Sequence, residues 1–259
     1  MGLSEESRMK IIVVIKRVPD TETQVRLGPD GRNIDPTGVV YVMNPYDEYA
    51  VEEAVRLKEK YGGDITILCI GPEAATKEIR TAIAMGCDSG VLMKTEAASL
   101  DPMSVARALA GEIKGREYDI ILCGKKNVDD DYGQIPLLIA ARLDLPVVSA
   151  INQLEIAPDM KKATARRNIE GGAEVFDVTL PAIFTAEKGL NEPRYPTLIE
   201  VRKSMKAPLE IKDFPAEAPG LKVLSMELPP PRKGGRIVGK GIEAVGDLVK
   251  LLQEEAKVV

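Results

Sequence analysis

The stretch YDIILCGKKNVDDDYGQIPLLIAARL, residues 118–143, decides the fold of this chain. It begins with a short apolar run that ends at Gly124, which is typical of a strand buried on both faces of a sheet. A polar loop with three consecutive aspartates follows, and residues 132–143 carry a helical pattern. Strand, loop and helix in this order predict one unit of a parallel sheet that is covered by helices.

The same unit repeats through the first 150 residues of the chain. Four further apolar runs predict strands, at 11–15, 64–71, 89–94 and 145–151. Two further helical patterns lie at 75–85 and 103–115. Strands that alternate with helices of this length predict an α/β fold, in which a parallel sheet is flanked by helices.

The first predicted helix has clear signals at both ends. Asn44 takes the N-cap position and Pro45 the first helical position, and the acidic residues Asp47 and Glu48 follow in the first turn. Each of these residue types is favoured at its position. A glycine pair ends the pattern, as is typical of helix C-termini.

The pattern changes after about residue 150. Glu170, Gly171 and Gly172 form a strong turn signal within the segment 161–188, which predicts a β-hairpin there. A loop rich in turn residues follows, and a further helix is expected over 197–206.

The C-terminal segment predicts a separate element. Residues 229–241, PPPRKGGRIVGKG, indicate a linker rich in proline, glycine and basic residues. A helical pattern with one apolar stripe follows. The stripe consists of Ile242, Val245, Leu248, Val249 and Leu252. It could pack on its own domain or on another subunit, and the sequence leaves both possibilities open.

These patterns divide the chain into three parts. Residues 1–8 are expected to form a disordered leader. Residues 9–225 would form one α/β nucleotide-binding domain that includes the hairpin and loop at 163–206. Residues 226–259 would form a C-terminal strap that ends in a helix. No apolar run approaches the ~18 residues of a membrane span, and no secretory signal is recognised, so a cytoplasmic protein is expected.

Composition excludes several kinds of chemistry. The chain contains no histidine, which removes the commonest general base and most zinc sites. Its three cysteines are widely spaced, so they are expected to be buried thiols rather than metal ligands. The formal net charge of −5 argues against a nucleic-acid partner. No catalytic or metal-binding residue is predicted, and a catalyst would have to work with Asp, Glu, Lys or Cys side chains or with a bound cofactor.

A ligand site is expected where the carboxyl ends of the parallel strands meet. Gly71 and Gly124 each end an apolar strand, where the missing Cβ allows a close approach. The loop 124–134 leads into a helix whose first N–H groups could hold a phosphate. The three aspartates at 129–131 would repel a phosphate unless they cap the helix, bind a ribose hydroxyl or hold a metal ion. Asp131 as a helix N-cap and a ribose contact both stay open.

The stretch GLNEPRYPTL, residues 189–198, predicts a rigid exposed loop. Its prolines fix their own φ and bias the residues before them away from helix. The loop ends in a lone apolar residue, Leu198, and a basic cluster follows at 202–206. A solvated surface is the default explanation for such a cluster. A rigid apolar residue beside charges is also typical of a surface that docks a partner.

Several segments in order resemble the β subunit of electron-transfer flavoproteins, and the resemblance runs from about Met9 to the C-terminus. The segments are KRVPD (16–20), MNPYDEYAVEEAVRLKEK (43–60), IRTAIAMGCD (79–88), GKKNVDDDYGQ (124–134) and ARRNIEGGAEVFDVTLPAIFTAEKGLNEPRYPTL (165–198). Each segment alone is weakly specific, and their order over most of the chain makes the resemblance specific.

The resemblance implies a parallel α/β fold of the adenine-nucleotide-binding type and a heterodimer. An α subunit would hold the redox FAD and receive the C-terminal strap, and this chain would bury a structural AMP. The implied AMP-binding residues are Asn44, Pro45, Gly71, Gly124, Lys125, Val128, Asp129, Asp130, Asp131 and Gln134.

The resemblance also implies a role for the exposed loop. In the family this loop docks acyl-CoA dehydrogenases and related flavoenzymes, and a leucine at the place of Leu198 inserts into the partner. The implied docking residues are Asn191, Glu192, Pro193, Arg194, Tyr195 and Leu198. A downstream quinone-linked oxidoreductase would accept the electrons, so the chain would belong to a carrier rather than act as a catalyst on its own.

Two other functions stay open. An electron-bifurcating branch of the family holds a second FAD in place of AMP and oxidises NADH. Its loop tends to read D-G-D-T-A-Q-V where this chain has DDDYGQI, which favours AMP here. A stand-alone adenine-nucleotide-binding protein would share the same strand and loop architecture, and it would be stable without any partner.

Overall fold

The computed structural model of the protein describes residues 8–96, 100–214, 220–231 and 234–259. The chain forms two compact units, Met1–Ser225 and Met226–Val259. Residues 1–7 of the expected leader lie outside the described residues, as do Arg232 and Lys233 of the basic linker.

The first unit is built from twelve strands and five helices within its described residues. The strands are β1 (Met9–Ile15), β2 (Arg17–Pro19), β3 (Tyr41–Met43), β4 (Gly63–Gly71), β5 (Ser89–Lys94), β6 (Ile120–Gly124), β7 (Val147–Ile151), β8 (Gln153–Ile156), β9 (Lys162–Ile169), β10 (Gly172–Thr179), β11 (Ala182–Ala186) and β12 (Leu209–Asp213). The helices are α1 (Pro45–Tyr61), α2 (Thr76–Met85), α3 (Pro102–Lys114), α4 (Ile135–Leu143) and α5 (Leu198–Ser204).

Seven of these strands form one parallel sheet in the order β12-β5-β4-β1-β6-β11-β7. Side chains of β1 alternate between the two faces, as the period of a strand requires. Ile11 and Val13 belong to the core on the side of α1 and α2, whereas Ile12 belongs to the core beneath α3 and α4. The predicted α/β fold, a parallel sheet flanked by helices, is therefore confirmed.

The predicted hairpin is confirmed, but the segment assigned to it contains more than a hairpin. Strands β9 and β10 pair antiparallel around Glu170 and Gly171, and β8 adds a third strand. The run Ala182–Ala186 instead enters the main sheet between β6 and β7. All five of its residues are buried, which suits an interior parallel strand and not a half-exposed hairpin.

Helix boundaries agree with the prediction at α1 and differ at α4 and α5. Helix α1 ends before Gly62, whose φ of 71° is a conformation that favours glycine. Helix α4 begins at Ile135 rather than at Tyr132, and Gln134 takes its N-cap position. Helix α5 begins after Thr197, whose side chain forms a capping box with Glu200.

The second unit contains the predicted terminal helix in a shorter form. A 3-10 turn at Ile242–Ala244 leads into α6 (Val245–Leu251), and a π-helical segment, Leu252–Ala256, follows. Four of the five stripe residues are exposed, namely Ile242, Val245, Leu248 and Val249. In neither unit is any helix of the described residues long and apolar enough to cross a membrane.

Candidate functional site

The order of the strands places a ligand crevice beside β1. The chain passes from β1 to β4 on one side and returns to β6 on the other side. Strand order therefore reverses at β1, and ligands of open α/β sheets bind outside the carboxyl ends of the strands at such a point. Here those ends are Ile15 of β1 and Gly124 of β6.

A buried carboxylate joins the two strand ends. Asp47, in the first turn of α1, accepts a hydrogen bond from the Lys16 backbone N at 2.7 Å and one from the Gly124 backbone N at 3.1 Å. The Asn44 side-chain Nδ2 donates to the same carboxylate at 2.9 Å. Asp47 thus fixes the ends of β1 and β6 against the start of α1.

Burial raises the pKa of Asp47 to about 7, although the hydrogen bonds from Asn44, Lys16 and Gly124 act in the opposite direction. A carboxyl group that titrates near neutral pH beside a ligand crevice is typical of functional sites. The sequence predicts Asp47 only as an acidic residue of the first helical turn. Its position directly after Asn44 and Pro45, at the sheet edge, is the signal that could have identified it.

Asn44 connects helix α1 to the acidic loop. It occupies the N-cap position, but its side chain makes no capping hydrogen bond. Instead, Nδ2 donates to the backbone O of Lys126 at 3.0 Å, and Oδ1 accepts from the backbone N of Val128 at 3.2 Å. The predicted site residues Asn44 and Val128 are therefore in direct contact.

The packing of β6 against α1 requires a glycine at position 124. A Cβ on Gly124 would lie 2.3 Å from Asp47 Oδ1 and 2.8 Å from Tyr46 Cβ. The sequence analysis expected the missing Cβ to serve the approach of a ligand. In the structure, the missing Cβ allows the close approach of Tyr46 and Asp47 at the start of α1.

Two lysines pair with the three aspartates of the loop and offset two of their three negative charges. Lys16 Nζ lies 2.8 Å from Asp129 and 2.6 Å from Asp130, and Lys126 Nζ lies 2.5 Å from Asp131. Burial works to lower the pKa of Lys16, but the two aspartates outweigh it and the pKa is raised. The loop therefore presents carboxylate oxygens with a smaller excess of negative charge than three unpaired aspartates would have.

Asp131 does not cap the following helix, so that interpretation of the sequence is wrong. Asp131 has a left-handed φ of 58°, and α4 begins four residues later with Gln134 at its N-cap. Pro136 stands in the first turn of α4 and carries no N–H group. The start of this helix therefore offers fewer donors to an anion than a helix that begins near residue 132.

The remaining predicted pocket residues lie along the same edge. Lys125 pairs with Glu187, and its Nζ lies 5.0 Å from the centroid of the Tyr46 ring. Gly71 ends β4, next to β1, and its carbonyl accepts a hydrogen bond from the backbone N of Thr95 at 2.9 Å. Within the described parts of the chain, no group of three or more acidic or cysteine side chains is arranged to hold a metal ion.

All three cysteines are buried free thiols, as expected. Burial raises the pKa of Cys69 to about 12 and raises the pKa values of Cys87 and Cys123 as well. Such thiols are unreactive near neutral pH, so they belong to the core rather than to the site.

The exposed loop follows β11 and packs against α1. Asn191 is buried and Arg194 is half-buried, and both side chains bond to α1. Tyr195 and Leu198 are 97% and 81% exposed. The loop is thus held by some of its predicted docking residues and presents others to solvent.

Other residues of this region complete the exposed surface. Glu192 is exposed and Pro193 is half-buried between the two bonded residues. Ile199, in the first turn of α5, is 65% exposed. Ile199 was not predicted to belong to this surface. An apolar residue directly after Leu198, in a helix with charged neighbours, is the signal that could have identified it.

The fold and the crevice define a parallel α/β protein of the kind that binds ligands at a topological switch point. The model of the electron transfer flavoprotein domain matches residues 33–218. The chain is 41% identical over 262 residues to the electron transfer flavoprotein subunit beta of Bacillus subtilis (strain 168), covering 97% of this chain and 100% of that protein. The Homo sapiens subunit beta is 37% identical over 260 residues, with the same coverage.

A third relative, the electron transfer flavoprotein subunit beta of Syntrophomonas wolfei, is 39% identical over 228 residues, which is 88% of each chain. The chain therefore belongs to the electron transfer flavoprotein family, among its β subunits.

Proposed function

We propose that this chain works with an α subunit in a heterodimeric electron carrier, in which it binds AMP structurally and docks an acyl-CoA dehydrogenase-type flavoenzyme. The carrier then delivers the electrons to a quinone-linked acceptor. The observation that supports this most is the crevice at the ends of β1 and β6, where Asp47, Asn44 and Lys16 organise the acidic loop. The chain supplies binding surfaces and is not a catalyst on its own.

The groups at the crevice suit an adenine nucleotide. Carboxylate oxygens of Asp129 and Asp130 are acceptors for ribose hydroxyls, and the ammonium groups of Lys16 and Lys126 are donors for a phosphate. The ion pairs between these groups offset two of the three negative charges of the loop, which reduces the repulsion of a phosphate by the aspartates. AMP would be held by these groups, with Val128, Lys125 and Gln134 along the same edge.

The redox chemistry of the complex would come from FAD held by the α subunit, since a flavin carries electrons that side chains cannot. Nothing in this chain has to move a proton for that transfer. The absence of histidine from the sequence is compatible with such a role.

The C-terminal unit supports assembly with the α subunit. Its apolar stripe is exposed at Ile242, Val245, Leu248 and Val249. Exposed apolar patches of this kind mark interaction sites. Docking on the α subunit is therefore our proposal for this unit.

The loop 189–198 supports the docking of a dehydrogenase. An exposed Leu198 beside exposed Tyr195 and Ile199 offers an apolar surface on a loop that is already ordered. Ordering a loop before binding reduces the entropy that association costs. The three buried free thiols are compatible with a reducing cytoplasm as the place of this exchange.

The proposed function is tested with the co-expressed αβ complex under anaerobic conditions. A purified acyl-CoA dehydrogenase with its acyl-CoA substrate should bleach the flavin absorbance of the complex, and NADH alone should not. Rapid bleaching by NADH would instead indicate the bifurcating branch, and bleaching by neither would contradict the proposed docking partner.

A further inference from the structure

Helix α1 carries two adjacent buried glutamates on the side that the loop 189–198 covers. Glu52 is 2% and Glu53 is 7% exposed. Glutamate is almost never buried to this degree without a partner, because the desolvation of its charge is costly. The partners of both residues lie in the loop, about 140 residues further along the chain.

Glu52 holds Arg194 by three hydrogen bonds. Arg194 Nε donates to Oε2 at 2.8 Å, Nη2 donates to Oε1 at 3.1 Å, and the Arg194 backbone N donates to Oε2 at 3.2 Å. The two-pronged arrangement of guanidinium and carboxylate is the strong form of this pair. Because the backbone N takes part as well, Glu52 fixes the loop itself and not only a side chain.

Two further charges complete this cluster. Arg56 Nε donates to Glu52 Oε1 at 2.8 Å, one turn further along α1. Glu59 lies 2.6 Å from Arg194 Nη1, but its side chain is 58% exposed. Burial works to raise the pKa of Glu52, but the hydrogen bonds from Arg194 and Arg56 outweigh it and the pKa is lowered. Glu52 is therefore held as an ion.

Glu53 holds the other end of the loop through Asn191. Asn191 Nδ2 donates to Glu53 Oε2 at 3.0 Å and to the backbone O of Tyr49 at 2.9 Å. A carbonyl oxygen can only accept, so Tyr49 fixes the orientation of the amide. Asn191 Oδ1 is buried and has no hydrogen-bond partner among the residues that the structure describes.

The pKa of Glu53 is shifted in the opposite direction from the pKa of Glu52. Burial raises the pKa of Glu53, against the opposing effects of the Asn191 hydrogen bond and of Arg56. The two glutamates thus hold the loop by different contacts, Glu52 through an ion pair with Arg194 and Glu53 through a hydrogen bond from Asn191.

We propose that Glu52 and Glu53 are positioning residues for partner docking, which hold the loop at Arg194 and at Asn191 so that Tyr195 and Leu198 are presented in one conformation. This inference rests on the proposed docking function of the loop. It also assigns Arg194 and Asn191 an internal role, since their polar groups are directed to α1 and not to a partner.

The experiment compares four variants of the αβ complex. Glu52→Gln removes the buried charge that pairs with Arg194 and leaves the exposed pair with Glu59. Arg194→Lys keeps the charge but loses the two-pronged geometry. Glu53→Ala removes the acceptor of the Asn191 Nδ2 group, so it should loosen the loop at Asn191. Glu117→Gln is the control, because it breaks an exposed pair with Lys10 at the opposite edge of the sheet.

Two quantities are measured for each variant. Hydrogen exchange of peptides from 189–198 reports the order of the loop without any partner. Steady-state electron transfer from an acyl-CoA dehydrogenase gives the KM for the complex and kcat separately. Glu52→Gln and Arg194→Lys should each speed loop exchange and raise KM roughly tenfold at nearly unchanged kcat, because a disordered loop must be ordered again on binding. Glu53→Ala should change both quantities in the same direction, and the control should change each less than twofold. Unchanged loop exchange in Glu53→Ala would show that Glu53 does not hold the loop.

Each remaining outcome overturns a different part of the inference. Unchanged loop exchange in Glu52→Gln and Arg194→Lys would show that these contacts do not hold the loop, even if Leu198→Ala weakened docking. Faster exchange in these variants together with an unchanged KM in Leu198→Ala would reject the docking role of the loop. The glutamates would then be structural residues only. If Glu52→Gln fails to assemble, the same comparison is decided by Arg194→Lys.

Discussion

At the residue scale, Asp47 shows how one buried carboxylate organises the candidate nucleotide site. Its two oxygens accept from Lys16, Gly124 and Asn44, which belong to three different segments. An asparagine there would place an NH₂ group against at least one of these donors. A buried donor without an acceptor costs about 1–3 kcal/mol. Asp47 is therefore as important to the crevice as the residues that would touch a ligand.

The first prediction concerns the pH dependence of Asp47→Asn. The pKa of Asp47 is raised from 3.8 to about 7 in the folded protein, so its contribution lowers stability as the pH rises from about 4 to about 7. Asp47→Asn lacks this pH-dependent contribution to the free energy of unfolding, because asparagine does not titrate. We expect Asp47→Asn to be more destabilising at pH 5 than at pH 8, by about 2 kcal/mol.

This difference is measured by hydrogen exchange in urea on peptides from β1 and β6 of the assembled complex. Asp159→Asn serves as the control, because Asp159 lies in an exposed turn and should give the same small effect at both pH values. An equal destabilisation by Asp47→Asn at pH 5 and pH 8 would mean that Asp47 is already ionised at the lower pH.

The second prediction concerns Leu198 as a docking residue. Its side chain is 81% exposed, so Leu198→Ala should leave the fold and the flavin content unchanged. Truncation of an apolar side chain that is central to an interface costs about 1–2 kcal/mol, which corresponds to roughly a tenfold rise in KM for the dehydrogenase. Leu224→Ala is the matched control, since Leu224 is 77% exposed and lies outside the loop. Equal kinetics for both variants would contradict a docking role for Leu198.

At the element scale, the strand, loop and helix units followed from local patterns. The runs that became β1, β4, β5 and β6 are short and apolar, and buried parallel strands require only that. Strands β11 and β12 were not predicted, because their place in the sheet depends on pairing with distant segments. The start of α4 was placed too early, since the ion pairs that hold the acidic loop in a non-helical conformation are tertiary contacts.

The third prediction concerns the C-terminal unit as an assembly element. Removal of the residues after Leu228 should abolish one-to-one co-purification with a tagged α subunit, because the exposed apolar stripe would be lost. Leu248→Asp should have the same effect in the full chain, and Glu254→Gln, which lies off the stripe, should have none. Normal assembly of the truncated chain would show that this unit does not dock on the α subunit.

At the scale of the whole molecule, the loop 189–198 and the crevice share one support. Helix α1 begins at the crevice with Asn44 and Asp47 and continues to Glu52 and Glu53 beneath the loop. The sequence allowed the loop and the acidic segment to be recognised, because both consist of turn residues and charges in unusual runs. It did not reveal this common support, since burial of acidic residues on one helix depends on what packs against it.

The most direct test of the account is the nucleotide content of the αβ complex. The complex is denatured, and every nucleotide released per αβ pair is quantified. We predict one FAD and one AMP, with the AMP lost or reduced in Asp47→Asn while the FAD remains. Two FAD and no AMP would contradict a structural nucleotide at the ends of β1 and β6, and would make that crevice a second redox site.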